Sequence, residues 1–215
     1  MNIYQMLFQI AFFAPPFLLA LSLHEFAHAY SAYKLGDPTA KMMGRLTLDP
    51  FKHIDIIGLV MLFLVHIGWA KPVPVNYSRL RNPKRDAVIV AFAGPGINLL
   101  SAIIGGVIFR FTSQLALPRY FDILNNMLLV FVLISLILAF FNLIPVPPLD
   151  GWRIVTAYSD PVKLRVYETY GIFLLLFLFF SPYIIGVDLL GMYLRPLVGI
   201  FTKLTIGVDL SKSFI

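Results

Sequence analysis

From Met1 to Tyr33 this chain carries one formally charged side chain, Glu25. About 20 apolar residues of helix cross the hydrocarbon core of a bilayer, so a run of this length can enter one. Inside lipid the backbone must satisfy its own hydrogen bonds, which leaves a helix as the available form. A carboxylate near the bilayer centre costs roughly 2.5 kcal/mol or more, which makes Glu25 a candidate for function rather than filler. The apolar pattern recurs along the chain, at about 6–33, 54–70, 87–111, 123–149, 168–187 and, as a possible sixth segment, 189–207. The expectation is an all-α polytopic membrane protein with five or six transmembrane segments, organised as a single membrane-embedded domain over 1–215.

Composition agrees. Apolar residues make up 59% and charged residues 13%, against roughly 45–50% and 25% in soluble domains. The net charge of +6 comes with no basic helix or aromatic RNA motif, so nucleic acid is not an expected partner. It reads instead as charge that sets topology beside membrane segments. With no cysteine in the chain, disulfides and thiolate ligands are excluded, and any metal must be held by His and carboxylate. The first apolar run lacks a basic flank of the signal-peptide kind and is read as retained.

Segment 54–70 is the exception among the apolar runs. It offers about 15 apolar residues where a crossing needs about 20, and Gly58, His66 and Gly68 interrupt it. A re-entrant or partial span, followed by a short β-like loop, fits the region at about 54–78. Charge points the same way. The connections 34–53, 71–86 and 151–167 hold 12 of the 17 Lys and Arg residues. The positive-inside tendency puts all three on the cytoplasmic side, which requires 54–70 to enter and leave by one face. Pro15-Pro16 either starts the first membrane helix, leaving 1–14 along the interface, or kinks it.

Glu25 sits inside His24-Glu25-Phe26-Ala27-His28, an HExxH pattern. On a helix, positions i and i+4 share a face, so both histidines can present a nitrogen to one zinc ion. Glu25 can then take the proton of a metal-bound water whose pKa zinc lowers to about 7. In the expected topology the motif lies in the inner half of the first helix, roughly 9 Å before Lys34.

A catalytic zinc needs a third protein ligand and an open position. Asp150 is the best candidate, ending the stretch Asn142-Leu-Ile-Pro-Val-Pro-Pro-Leu-Asp150-Gly151. Pro145, Pro147 and Pro148 break the helix before it, and Gly151 is read as permitting an unusual backbone angle. Irregular backbone at membrane depth is tolerated where it lines a cavity, so a polar chamber is expected. The competing reading of Asp150 is a cap on the next helix.

These residues resemble the site-2 protease family of intramembrane zinc metalloproteases. HEFAH matches its HExxH, and NLIPVPPLDG matches its Asn-x-x-Pro-x-Pro-x-x-Asp-Gly signature. Gly94-Pro95-Gly96-Ile97-Asn98 resembles its Gly-Pro-x-x-Asn. Gly44-Arg45-Leu46-Thr47-Leu48-Asp49-Pro50 and Gly68-Trp69-Ala70-Lys71-Pro72-Val73-Pro74-Val75 look like the compact prokaryotic branch, without a PDZ or CBS domain. The likeness covers roughly 15–155, a catalytic core, whereas the C-terminal helices at about 168–207 are unspecific. It implies an intramembrane endopeptidase with His24, His28 and Asp150 on one zinc ion and Glu25 as base. Asn142 and nearby prolines, Pro148 among them, would line a substrate groove. Expected partners are transmembrane proteins or peptides and the lipid bilayer. The expected location is a prokaryotic cell membrane, with the site toward the cytoplasm.

Several readings stay open. Asn142 either contacts substrate or a developing oxyanion, or bonds a helix backbone. Asn98 has the same choice, with helix–helix bonding favoured. His53 and His66 are expected to be structural or interfacial. Lys71–Asn76 is extended by composition, and is either a strand edge for an unwound substrate or a plain loop. An inactive relative that only binds membrane proteins, and a zinc transporter, are the competing functions. The intact Glu25 argues against the first. The clustering of polar groups at one depth argues against the second.

Overall fold

The computed structural model describes residues 2–58, 68–115, 118, 120–159 and 161–211. Among them the regular structure is helical: α1 (Ile3–Lys34), α2 (Thr39–Met42), α3 (Pro83–Thr112), α4 (Tyr120–Asn142), α5 (Asp150–Thr156), α6 (Pro161–Ile185) and α7 (Leu189–Thr205). Four helices are long and apolar enough to cross a membrane, spanning Ile3–Lys34, Pro83–Thr112, Phe121–Asn142 and Tyr167–Ile185. The last apolar segment forms α7, 17 residues long and strongly one-sided in its apolar surface. It packs against α3, α4 and α6.

Helix α1 begins earlier than the proline pair suggested. Asn2 and Gln5 form a reciprocal capping box, with the Gln5 N–H donating to Asn2 Oδ1 at 2.9 Å and the Asn2 N–H to Gln5 Oε1 at 3.1 Å. Pro15 and Pro16 therefore lie inside a continuous helix of 32 residues. The proline pair does not start the helix. Helix α4 stops at Asn142 rather than running to 149, because Leu143–Leu149 with its three prolines turns back on itself.

The centre of the molecule is the packing of α1, α3 and α4 on one another. Small side chains on α1, such as Ala20, Ala29 and Ala32, are fully buried, as expected where helix backbones approach closely in a membrane. A second layer, Val132, Leu136 and Phe140 of α4 with Ala102 of α3 and Val198 of α7, closes the bundle. Large apolar side chains such as Ile104, Phe111, Phe173 and Ile184 face outward, a distribution that suits lipid rather than water.

Segment 54–70 leaves and returns at one place. Ile54 and Ala70 form an antiparallel bridge, and the Lys71 N–H donates to the His53 carbonyl at 2.9 Å. Its middle, 59–67 with His66, lies outside the described residues. The three basic connections also converge. Asp37 Oδ2 accepts from the Asn76 N–H at 2.7 Å, and the Arg81 N–H donates to the Leu35 carbonyl at 3.0 Å. The Arg153 guanidinium lies over the Tyr77 ring, 4.7 Å from its centroid. So the end of α1, the start of α3 and the start of α5 share one end of the bundle, which is what brings the two halves of the candidate site together.

Candidate metal centre

One helical turn separates His24 from His28, and both rings point from α1 toward the start of α5. Their Nε2 atoms lie 3.0 Å apart. Asp150 Oδ2 is 3.2 Å from each of them. Among the described residues this is the cluster of three His or carboxylate donors able to hold a metal ion. Donors bound to zinc at about 2.0–2.1 Å in a tetrahedron stand roughly 3.3 Å apart, close to the triangle seen here.

The tautomers favour a cation as well. His28 Nδ1 is 2.7 Å from the buried Val90 carbonyl, which can only accept, so Nδ1 carries the hydrogen. In the neutral ring, Nε2 is then a bare lone pair facing a carboxylate oxygen and another imidazole nitrogen. A positive ion between them removes that conflict. Burial raises the Asp150 carboxyl, whereas imidazoles that carry a hydrogen or positive charge toward it outweigh burial and hold the group well below the ordinary carboxylate range; a cation held between bare Nε2 atoms would act in the same direction. Asp150 is thus ionised, the form a cation needs. The residues present fit zinc.

The rest of the chain holds this triangle in place. Asp150 is the first residue of α5 and not its cap, a position taken by Leu149. Ile144, Val146 and Leu149 are buried against Leu175 and Leu178 of α6 and Leu190 of α7. The C-terminal helices, which carry no motif, are therefore the buttress behind the aspartate. Gly151 is required for a reason other than backbone angle: it is helical, and a Cβ there would run into the Leu143 carbonyl. Gly94 of α3 faces the histidines; a Cβ would collide with His28 Nε2 and come within 2.7 Å of His24 Nε2. Only glycine leaves the ion its room.

Asn98 of α3 is fully buried, with its amide 3.3 Å from His24 Nδ1. Its Oδ1 has no partner while Nδ2 faces the ring. Amide oxygen and nitrogen are assigned from hydrogen bonding, and exchanging them lets Oδ1 accept from Nδ1–H, which frees His24 Nε2 for metal. Asn98 thus backs a histidine. Asn98→Ala should weaken zinc binding about 10–100-fold, the usual cost of losing such a partner, as measured by chelator competition.

Glu25 is 8% exposed, and its Oε2 accepts the Val73 N–H at 2.9 Å. Asn142 donates from Nδ2 to the Leu138 carbonyl within its own helix, at 2.9 Å, so the backbone-bonding reading describes this structure. Pro148 is exposed and borders a cavity of about 330 Å³ with Pro147, Trp152, Arg153, Glu168 and Ile172. The Asp150 side chain, 19% exposed against 6% for His24, marks the more open flank of the centre. His53 stands apart, fully buried with Nε2 2.9 Å from the Thr47 carbonyl, a fastening of the 44–53 loop.

The Gly-Pro-x-x-Asn resemblance singled out Asn98 but not its partner, and Val73 carried no site signal of its own, since each depends on a neighbour at least 48 positions away.

Residues 12–180 match the model of peptidase family M50, a wider span than the motifs alone covered. The chain is similar to a Bacillus subtilis protein named "Putative zinc metalloprotease YwhC". The two are 39% identical over 171 residues, 77% of this chain and 78% of that protein. It is also similar to "Putative zinc metalloprotease Rip2" of Mycobacterium tuberculosis, 29% identical over 178 residues, 79% of this chain and 66% of the relative. The protein of the same name from Mycolicibacterium smegmatis is 28% identical over 173 residues, 77% of this chain and 65% of its own length. No solved structure matches this chain.

Proposed function

The chain belongs to peptidase family M50, the site-2 protease family, and is a zinc metalloprotease; on that footing we propose that it cleaves peptide bonds within or near the membrane-spanning segments of other proteins. The observation that carries this reading is the convergence of His24, His28 and Asp150 beside Glu25 on a helix apolar enough to cross a membrane. A protease acting on soluble chains would have no reason to place its buried centre there.

His24, His28 and Asp150 would hold the ion, and Asn98 and the Val90 carbonyl would fix the two rings. Zinc, when bound, supplies a Lewis acid and lowers the pKa of a water toward about 7. Glu25 then serves as the base that accepts the proton of the attacking water and passes it to the leaving amine. Its single carboxylate suffices for both transfers because it is buried and held in one position. A helical substrate hides its peptide bonds, so it must unwind to be cut. The proline-lined cavity at Pro147 and Pro148 is a groove in which an unwound stretch can lie.

The three basic connections gathered at one end of the bundle support a cytoplasmic location for that end, and for the centre beside it. Glu25 argues against an inactive binding protein, which would have no need of a charged residue at this depth.

The test uses purified protein reconstituted in vesicles with a transmembrane peptide whose basic flank marks the cytoplasmic side. Mass spectrometry of the products should locate the cut inside the apolar segment or at its basic end. A zinc chelator should stop the reaction, and added zinc should restore it. Cuts confined to residues far outside the apolar segment would sink the intramembrane reading.

A further inference from the structure

Residues 71–76 run past α1 between two fastenings, touching it at Glu25 and beside Ala32. At one end the Lys71 N–H donates to the His53 carbonyl at 2.9 Å, and Arg45 Nη2 donates to the Lys71 and Pro72 carbonyls at 2.7 and 3.3 Å. At the other end the Asn76 N–H donates to Asp37 Oδ2 at 2.7 Å. Arg45 is 7% exposed and Asp37 is fully buried. Pro72 and Pro74 have no amide hydrogen, so Val73 supplies the one N–H between them. That N–H goes to Glu25 Oε2 at 2.9 Å.

We propose that residues 71–76 are a strap that holds the Glu25 carboxylate through the Val73 N–H, and that Arg45 is the positioning residue that sets the strap's place. This rests on the reading of Glu25 as the base. A buried carboxylate needs a hydrogen-bond partner, and a base needs a fixed one, because misplacement by about 1 Å can cost 10²-fold in rate. The prolines flanking Val73 stiffen the strap and leave its neighbours no amide with which to compete. A buried guanidinium spent on two backbone carbonyls is a costly arrangement, understandable if the position of those carbonyls matters. Both bonds leave from one nitrogen, Nη2, so a lysine ammonium, a point donor on a more flexible stem, can make part of this contact without holding it as firmly. Because the strap leaves directly from the closure of segment 54–70 at His53 and Lys71, the base is tied to the root of the re-entrant segment.

The experiment compares Arg45→Ala, Arg45→Lys and Val73→Pro with the wild type in the vesicle assay, reading kcat, KM and zinc per chain. Arg45→Ala should lower kcat about 10–100-fold with KM and zinc within twofold, and Arg45→Lys should recover part of the loss. Val73→Pro, which deletes the amide hydrogen, should reproduce the loss of kcat. The double variant Glu25→Gln with Arg45→Ala should be no slower than Glu25→Gln alone, because Arg45 acts through that carboxylate. The strap is overturned if folded Arg45→Ala keeps its kcat, or if the loss appears in KM or zinc content instead. Should Arg45→Ala not fold, an unchanged kcat in Arg45→Lys and Val73→Pro overturns it equally. If Glu25→Gln itself retains full activity, the catalytic reading of Glu25 fails, an outcome distinct from failure of the strap.

Discussion

Replacing Asp150 with asparagine should remove zinc from the protein at concentrations that saturate the wild type, lowering affinity on the order of 10²-fold or more. Outer-shell partners of a metal typically contribute 10–100-fold, and a direct ligand that also supplies the site's negative charge should contribute at least as much. The asparagine keeps the size of the side chain and one oxygen, so the loss would report charge and ligation rather than packing. The fold should survive, because the turn that carries residue 150 is anchored by Ile144, Val146 and Leu149 against α6 and α7. Metal content by mass spectrometry, alongside a thermal unfolding curve without zinc, separates the two effects. Full zinc occupancy in folded Asp150→Asn would remove Asp150 from the ligand set.

The reach of sequence reasoning can be read from which features repeat locally. The HExxH spacing encodes its geometry outright, since i and i+4 share a helix face, and the two histidines do lie with their Nε2 atoms 3.0 Å apart. The apolar runs gave the positions of the long helices, because a helix is the structure that saturates its own backbone in lipid. The return of segment 54–70 followed from charge bookkeeping, and the bridge between Ile54 and Ala70 closes its root.

What stayed hidden were contacts between distant segments. Nothing around Asn98 indicates that it faces His24 across a helix pair. A lone asparagine in an apolar helix is equally compatible with substrate contact. The proline pair at 15–16 looked like a helix start because local rules place proline there, but the capping box at Asn2 and Gln5 initiates the helix earlier. Gly151 was read through backbone freedom, when the constraint is the space taken by the Leu143 carbonyl. For Asn98 and Gly151 a local preference gave way to a demand set elsewhere in the chain, whereas at the start of α1 one local signal, the capping box, overrode another.

Glu25→Gln should leave zinc bound and cut the rate of peptide cleavage by about 10²–10⁴-fold, the usual span for a general acid–base residue. The amide is nearly isosteric with the carboxylate and can still accept the Val73 N–H through its oxygen, so the strap and the helix should keep their places. What it cannot do is take a proton from water near neutral pH. Zinc content and KM are therefore expected to match the wild type while kcat falls, the pattern of an interaction made in the transition state alone. The folded protein should be as stable as the wild type or more so, since a buried charge has been replaced by a neutral group in the same hydrogen bond. A Glu25→Gln protein that binds a transmembrane peptide intact, with full zinc and no product over hours, would fit this account. It would also provide the means to capture the natural substrates. Cleavage at wild-type rate would instead move the proton transfer to another group, and the lone carboxylate of the first helix would need a different explanation.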